Sequence, residues 1–378
     1  MTRRAPQLFA AAAQAWALNL AARLTMDWFP SEERDLATTA ATMANVAGQM
    51  AFSLLPPLVV RTPAELGRIM LLQLPPGLAA TAAAWLLLEE RPPRAPSASA
   101  ALQWREREAV AASAKGRAVG SAGLEEMLRD MRTLLANGNF VCLATGFSVG
   151  TGTVWAVLIL EGQLITPCGY SDALAGLAGA ALLGTGVASA FAVGAVMEST
   201  KAYLPLQRGV MAAAVAGTAG VLAAARRGHA AALIGAYCLL GAVLQPLMPL
   251  TLEHAAELTF PLSADVSTSM LFMFANTFAT LLVLILTPLL ALPVSAQCTT
   301  VFTPAAGTIL ALMAVGLAFT LAVKQDYRRS GCEHPHARAP SPESPLLGGA
   351  AAGAGGAAGV HAAYGTASTT RAEAVGNA

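Results

Sequence analysis

The run Met270 to Leu290, MLFMFANTFATLLVLILTPLL, constrains this chain more than any other stretch. It holds no charged residue and is long enough to cross a bilayer, which takes about 20 residues. One amide, Asn276, lies inside it. In hydrocarbon such a side chain faces a partner or a water-filled cavity. A polar hinge precedes the run: Glu253-His254-Ala255-Ala256-Glu257-Leu258-Thr259-Phe260-Pro261. The pair of segments therefore puts a candidate ligand contact at membrane depth and charges at its foot.

The run is one of about nine apolar spans by the same length rule. They lie at 7–28, 36–60, 66–88, 140–162, 173–197, 206–226, 230–252, 266–291 and 301–324. The chain is 55% hydrophobic and only 12% charged, about half the charge of a soluble domain. The runs are long and rich in Ala, Leu and Gly, which favours an all-α membrane protein over a β-barrel. A signal peptide is rejected for the first run, because Gln14, Asn19 and Arg23 interrupt it and no clean cleavage site follows. A net charge of +1 gives no sign of a nucleic-acid partner. The scattered cysteines, Cys142, Cys168, Cys238, Cys298 and Cys332, have no metal-ligand spacing. No metal site and no cofactor is expected.

Between 89 and 138 the chain turns polar and charged, holds eight Lys and Arg residues, and opens with Pro92, Pro93 and Pro96. This is a linker. Leu124, Met127, Leu128, Met131 and Leu135 recur in it at helical spacing, which predicts an amphipathic helix on the membrane surface. Basic residues mark the cytoplasmic side. Thus the linker, Lys201, Arg208, Lys324, Arg328 and Arg329 face inward, although Arg226 and Arg227 disagree. Residues 163–172 and 292–300 lack Lys and Arg and face outward, where a Cys168–Cys298 disulfide is open to formation. Gly176, Ala180, Gly184 and Ala188 recur every four residues, a spacing that lets helices approach closely. Residues 325–378 turn polar and then Gly/Ala-rich, the composition of a disordered cytoplasmic tail.

Five stretches, in order along the chain, resemble one family. They are Asp27-Trp28-Phe29-Pro30-Ser31-Glu32-Glu33-Arg34, Phe52-Ser53-Leu54-Leu55-Pro56-Pro57, Glu90-Arg91-Pro92-Pro93, Glu198-Ser199-Thr200-Lys201 and the Glu253 to Pro261 hinge. Together with Tyr327-Arg328-Arg329 they resemble the major facilitator superfamily, and within it solute carrier family 49, the relatives of the feline leukaemia virus subgroup C receptor. The resemblance implies twelve helices in two bundles that work by alternating access, with about nine present here and the first three missing. On that reading 1–88 is the remainder of the first bundle, 139–324 is a six-helix second bundle, and either Met1 is not the natural start or the chain is a degenerate copy. The implied substrate is a choline- or ethanolamine-like amine, haem or a vitamin. The implied location is the plasma membrane or a lysosomal or vacuolar membrane.

Candidate residues follow from chemistry and resemblance together. Trp155, mid-span, offers an aromatic face to a cation; by resemblance it falls where choline-handling relatives carry an aromatic, and Asn276 where they carry an amide. Asn45 and Gln49 lie one turn apart and share a helix face. The competing reading is packing for Trp155 and interhelical hydrogen bonding for the amides. Gln14, Asn19, Gln163 and Gln245 are weaker candidates. Glu198, Lys201, Glu253 and Glu257 are candidates for a cytoplasmic gate; the alternatives are a solvated pair for the first two and proton coupling for the last two. No span holds an Asp or Glu at mid-membrane depth; Glu161 lies close to the outer edge of the span 140–162. None of the five histidines lies mid-span, which weighs against a membrane enzyme. A carrier-like protein that senses or scaffolds without transporting is the other alternative.

Overall fold

A computed structural model describes residues 20–59, 65–87, 89, 91–114, 121–292 and 303–333. Among them every regular element is helical. The first, α1, is described over 20–28. There follow α2 (Arg34–Val59), α3 (Leu66–Leu87), α4 (Ala98–Ala114), α5 (Ser121–Ala136), α6 (Gly138–Ile165), α7 (Asp172–Thr200), α8 (Tyr203–Ala224), α9 (Ala230–Leu244), α10 (Leu247–Thr259), α11 (Ala264–Leu290), α12 (Pro304–Ala322) and α13 (Arg328–Glu333). Gln14, Asn19, Cys298 and residues 334–378 lie outside the described residues, as does most of the expected first span.

Seven described segments are long and apolar enough to cross a membrane: α3, α6, α7, α8, α9 with α10, α11 and α12. The chain is an integral, multi-pass, all-helical membrane protein. α2 is not among the seven; Thr38, Thr39, Thr42, Asn45 and Gln49 interrupt its apolar character.

Local chemistry sets where the helices start. The Asn137 side chain accepts hydrogen bonds from the N–H of Asn139 and Phe140 and caps α6; Ser171 caps α7 through the N–H of Leu174. α9 and α10 form one span broken by a turn at Gln245-Pro246. Pro246 has no N–H to continue the helical ladder. Irregular backbone at membrane depth is tolerated where it is enclosed by protein or lines a cavity.

α6 is the hub. It packs on α11 and α12, while α7 packs on α9 and α2, and α8 on α9 and α12. Small residues permit the closest approaches. A Cβ on Gly241 of α9 would stand 2.0 Å from the backbone oxygen of Leu182 in α7, and one on Gly152 of α6 would stand 3.1 Å from the Ala275 oxygen of α11. Of the expected small-residue stripe, Gly184 faces Met50 of α2, but Gly176 faces open space. α3 stands apart: Leu71, Leu78, Trp85, Leu86 and Leu87 are exposed along it.

Candidate functional site

Two features lie at different depths between α2 and the α6–α12 helices. The deeper one is a cavity of about 670 Å³ bordered by Asn45 and Gln49 of α2, Thr151 and Trp155 of α6, Gln245 at the α9–α10 break, and Asn276 and Thr280 of α11. Val154, Leu158, Leu183, Met248 and Val283 complete its apolar wall. None of the described residues bordering it is charged. Trp155, Asn276, Asn45 and Gln49 thus share one cavity, and Gln245, a weaker candidate, joins them.

Their hydrogen bonds define what the cavity offers. Gln49 donates from Nε2 to Asn45 Oδ1 at 2.9 Å. Asn276 donates from Nδ2 to the Phe272 carbonyl at 2.8 Å, which leaves its Oδ1 as an acceptor. The Trp155 indole lies nearly parallel to Phe272, with ring centroids 6.5 Å apart and planes 12° apart. Phe272 in turn meets Phe147 edge to face. This aromatic stack fixes the indole at the cavity wall. The cavity therefore presents one aromatic face and several neutral acceptors, a set that suits a small organic cation or neutral amine.

The second feature is a buried charge network at the end of the helices nearest the linker. Glu253 and Glu257 stand one turn apart on α10, and Arg329 of α13 bridges them. Its guanidinium lies 2.7 Å from Glu253 and 3.0 Å from Glu257, and all three residues are buried. Burial alone would release a proton from Arg329, but the carboxylates of Glu257 and Glu253 outweigh it and hold the guanidinium charged well above its ordinary range. Glu257 also accepts from the backbone N–H and hydroxyl of Ser330, and Thr38 of α2 donates to Glu253.

A second centre is Asp35 in the first turn of α2, where a carboxylate suits the helix dipole. Lys201 donates to it at 2.8 Å, and the Tyr203 hydroxyl donates to it at 3.1 Å. Lys201 also reaches the Ser31 carbonyl. Among the described residues it is the one non-glycine with positive φ, 49°. That left-handed backbone costs about 1–2 kcal/mol and persists because the ammonium is held at both contacts. Glu198 accepts from the Leu36 N–H at 3.2 Å. So α2 is tied to α7, α8 and α10 at this end. Glu198 and Lys201 do not pair with each other; each contacts α2 instead.

The linker joins the same end. Trp104 and Arg107 of α4 both donate to the buried Asp27, and Arg34 donates to Ser97. Asp35 and Tyr203 were not singled out by the sequence, and Arg329 stood only as an inward-facing basic residue, not as a member of the network. Arg329 had one usable signal: two carboxylates one turn apart at a membrane edge need a cation, and Arg328 and Arg329 follow the last span. His254 is fully buried and shares a 2.6 Å hydrogen bond with Gln207. Cys168 is disulfide-bonded.

Comparison with known proteins gives a consistent picture. Solute carrier family 49 member A3 of Danio rerio is 26% identical over 74% of this chain and 56% of its own length; the Xenopus tropicalis protein of that name is 26% identical over 70% and 52%. The choline/ethanolamine transporter FLVCR1 of Felis catus is 25% identical over 85% of this chain and 56% of its own. No family model matches the chain. The chain spans about half the length of the curated relatives it matches.

Proposed function

We propose, from homology to solute carrier family 49 of the major facilitator type, that this chain carries a small organic amine across a membrane by alternating access. The observation that supports this most is the cavity itself. It holds an aromatic ring and neutral oxygens, and no described charged side chain borders it. An anionic cargo would find no basic partner there. A haem would meet no described His or Cys ligand and no cation for its carboxylates. A choline- or ethanolamine-like cation would gain about 1–2 kcal/mol from the Trp155 face and dipolar contacts from Asn276, Asn45 and Gln49.

The network around Asp35, Glu253, Glu257, Lys201 and Arg329 is the gate in this reading. It closes the linker end while the cavity lies beyond it. We place the linker at 89–138 and residues 325–378 in the cytosol, so the gate is the cytoplasmic one. Opening it separates α2 from α8 and α10, which breaks buried ion pairs; a bound cargo must offset that cost through contacts made in the other state.

The test is uptake of a panel of labelled solutes into proteoliposomes containing the purified chain. Choline or ethanolamine should enter and compete with one another, whereas organic anions of similar size should do neither. Preferential uptake of an anion, or no uptake of any amine by well-folded protein, overturns the proposal.

A further inference from the structure

Glu161 takes no part in the cavity or the gate described above, yet it is the least satisfied acidic group in the spans. It lies on α6, more than nine-tenths buried. Among the described residues it forms no ion pair, and its Oε1 is buried with no hydrogen-bond partner. Its carboxyl rests against the backbone of Gly179 in α7, where an added Cβ would stand 2.5 Å from Oε2 and 3.2 Å from Oε1. Glycine is what makes room for this carboxyl at the helix seam.

From this geometry we infer that Glu161 is a proton-binding site whose protonation lets the α6–α7 seam close. The inference rests on the transport reading for its role but not for the site itself. The backbone of Gly179 supplies a hydrogen bond to the carboxyl, but no counter-charge reaches it among the described residues, and an ionised carboxylate without a counter-charge in hydrocarbon costs several kcal/mol. The closed seam therefore tolerates the neutral acid. The ionised form requires water, so the seam must part for the proton to leave. The step is a simple exchange: the carboxylic acid gives its proton to entering water and becomes a carboxylate, and the reverse step precedes closure.

Placement links this step to cargo. Glu161 and Gly179 meet one helical turn beyond Leu158 and Leu183, which both border the cavity. On the other side Ile159, Gly162 and Gln163 border a second cavity of about 780 Å³. A small separation of α6 from α7 would hydrate the carboxyl from either side.

At the same end as Glu161 the α8–α9 turn carries Arg226, Arg227 and His229, held against the end of α6 through Cys168 and Tyr170; among the described residues none of them pairs with Glu161. Tyr237 of α9 is the neighbour whose electrostatics couple to Glu161. α7 carries Asp172 in its first turn and Glu198 near its last. Asp265 of α11, Arg208 of α8, the acidic pair and His254 of α10, and the charges of α5 all belong to the linker end; α12 has no charged residue. No group of three or more metal-ligating side chains exists among the described residues, so a hard cation lacks its oxygen shell.

The experiment uses the full chain in lipid nanodiscs and infrared spectroscopy across a pH series. The wild type should show the carbonyl stretch of a protonated carboxylic acid at neutral pH. That band should vanish in Glu161→Gln, whose unfolding temperature should stay at the wild-type value. A band that persists in Glu161→Gln, or no such band in the wild type, overturns the proton site. In proteoliposomes, an imposed proton gradient should change wild-type labelled choline uptake, and Glu161→Gln should transport without responding to it. A retained response, or a response to sodium instead, overturns the coupling. Choline uptake failing in the wild type would sink the transport reading while the infrared result still decides the site.

Discussion

Lys201 and Arg329 carry the strongest residue-scale predictions. Arg329 neutralises two buried carboxylates, and removing one partner of such a pair costs about 3–5 kcal/mol, whereas removing all partners costs much less. Arg329→Met should therefore lower the thermal unfolding temperature sharply. Adding Glu253→Gln and Glu257→Gln should restore most of it. A triple variant no more stable than the single one would show that the ion pairs do not govern this end. At Lys201 both glycine and alanine lose the contact with Asp35, but only alanine keeps the left-handed strain. Lys201→Gly should thus exceed Lys201→Ala in stability by about 1 kcal/mol in denaturant titration. Equal stability would mean that the backbone there is not strained.

The elements show where sequence periodicity informs and where it fails. Apolar length alone locates α6, α7, α8, α11 and α12, because hydrocarbon leaves a chain few options but helices. Periodicity did not locate the tight contacts. A four-residue spacing of small side chains says that a helix can pack closely, but not on which face. Gly176 meets nothing, while Gly241 touches the Leu182 backbone. Gly241→Ala should cost about 1–3 kcal/mol through overpacking, and Gly176→Ala should leave stability unchanged, both read by thermal unfolding in detergent. Equal effects would place the helix contacts elsewhere. The break at Gln245-Pro246 was legible as a proline, but its place at the cavity wall was not, since that depends on how α10 leans on α2 and α6.

For the molecule as a whole, the candidate cavity was legible in its chemistry and not in its partners. Trp155, Asn276, Asn45 and Gln49 stood out because each is polar or amphipathic within an apolar run. The gate was half legible: Glu253 and Glu257 declared themselves by spacing, while Asp35 and Arg329 sit at segment ends, where a lone charge reads as solvated. Only the folded arrangement shows that they are buried. The Lys and Arg residues of the linker and tail, against none in 163–172 and 292–300, predict one orientation. Tags near Ser113 and Ser341 should both be protected from impermeant reagents in intact cells, and labelling of either from outside would invert the scheme.

The central claim is that an aromatic-walled, uncharged cavity holds a small amine. Equilibrium binding of labelled choline to the purified chain tests it most directly. Trp155→Ala should weaken binding by about 5- to 30-fold, as loss of roughly 1–2 kcal/mol implies, and Trp155→Phe should retain part of it, with both variants folded like the wild type. Undiminished choline binding by Trp155→Ala would contradict the account.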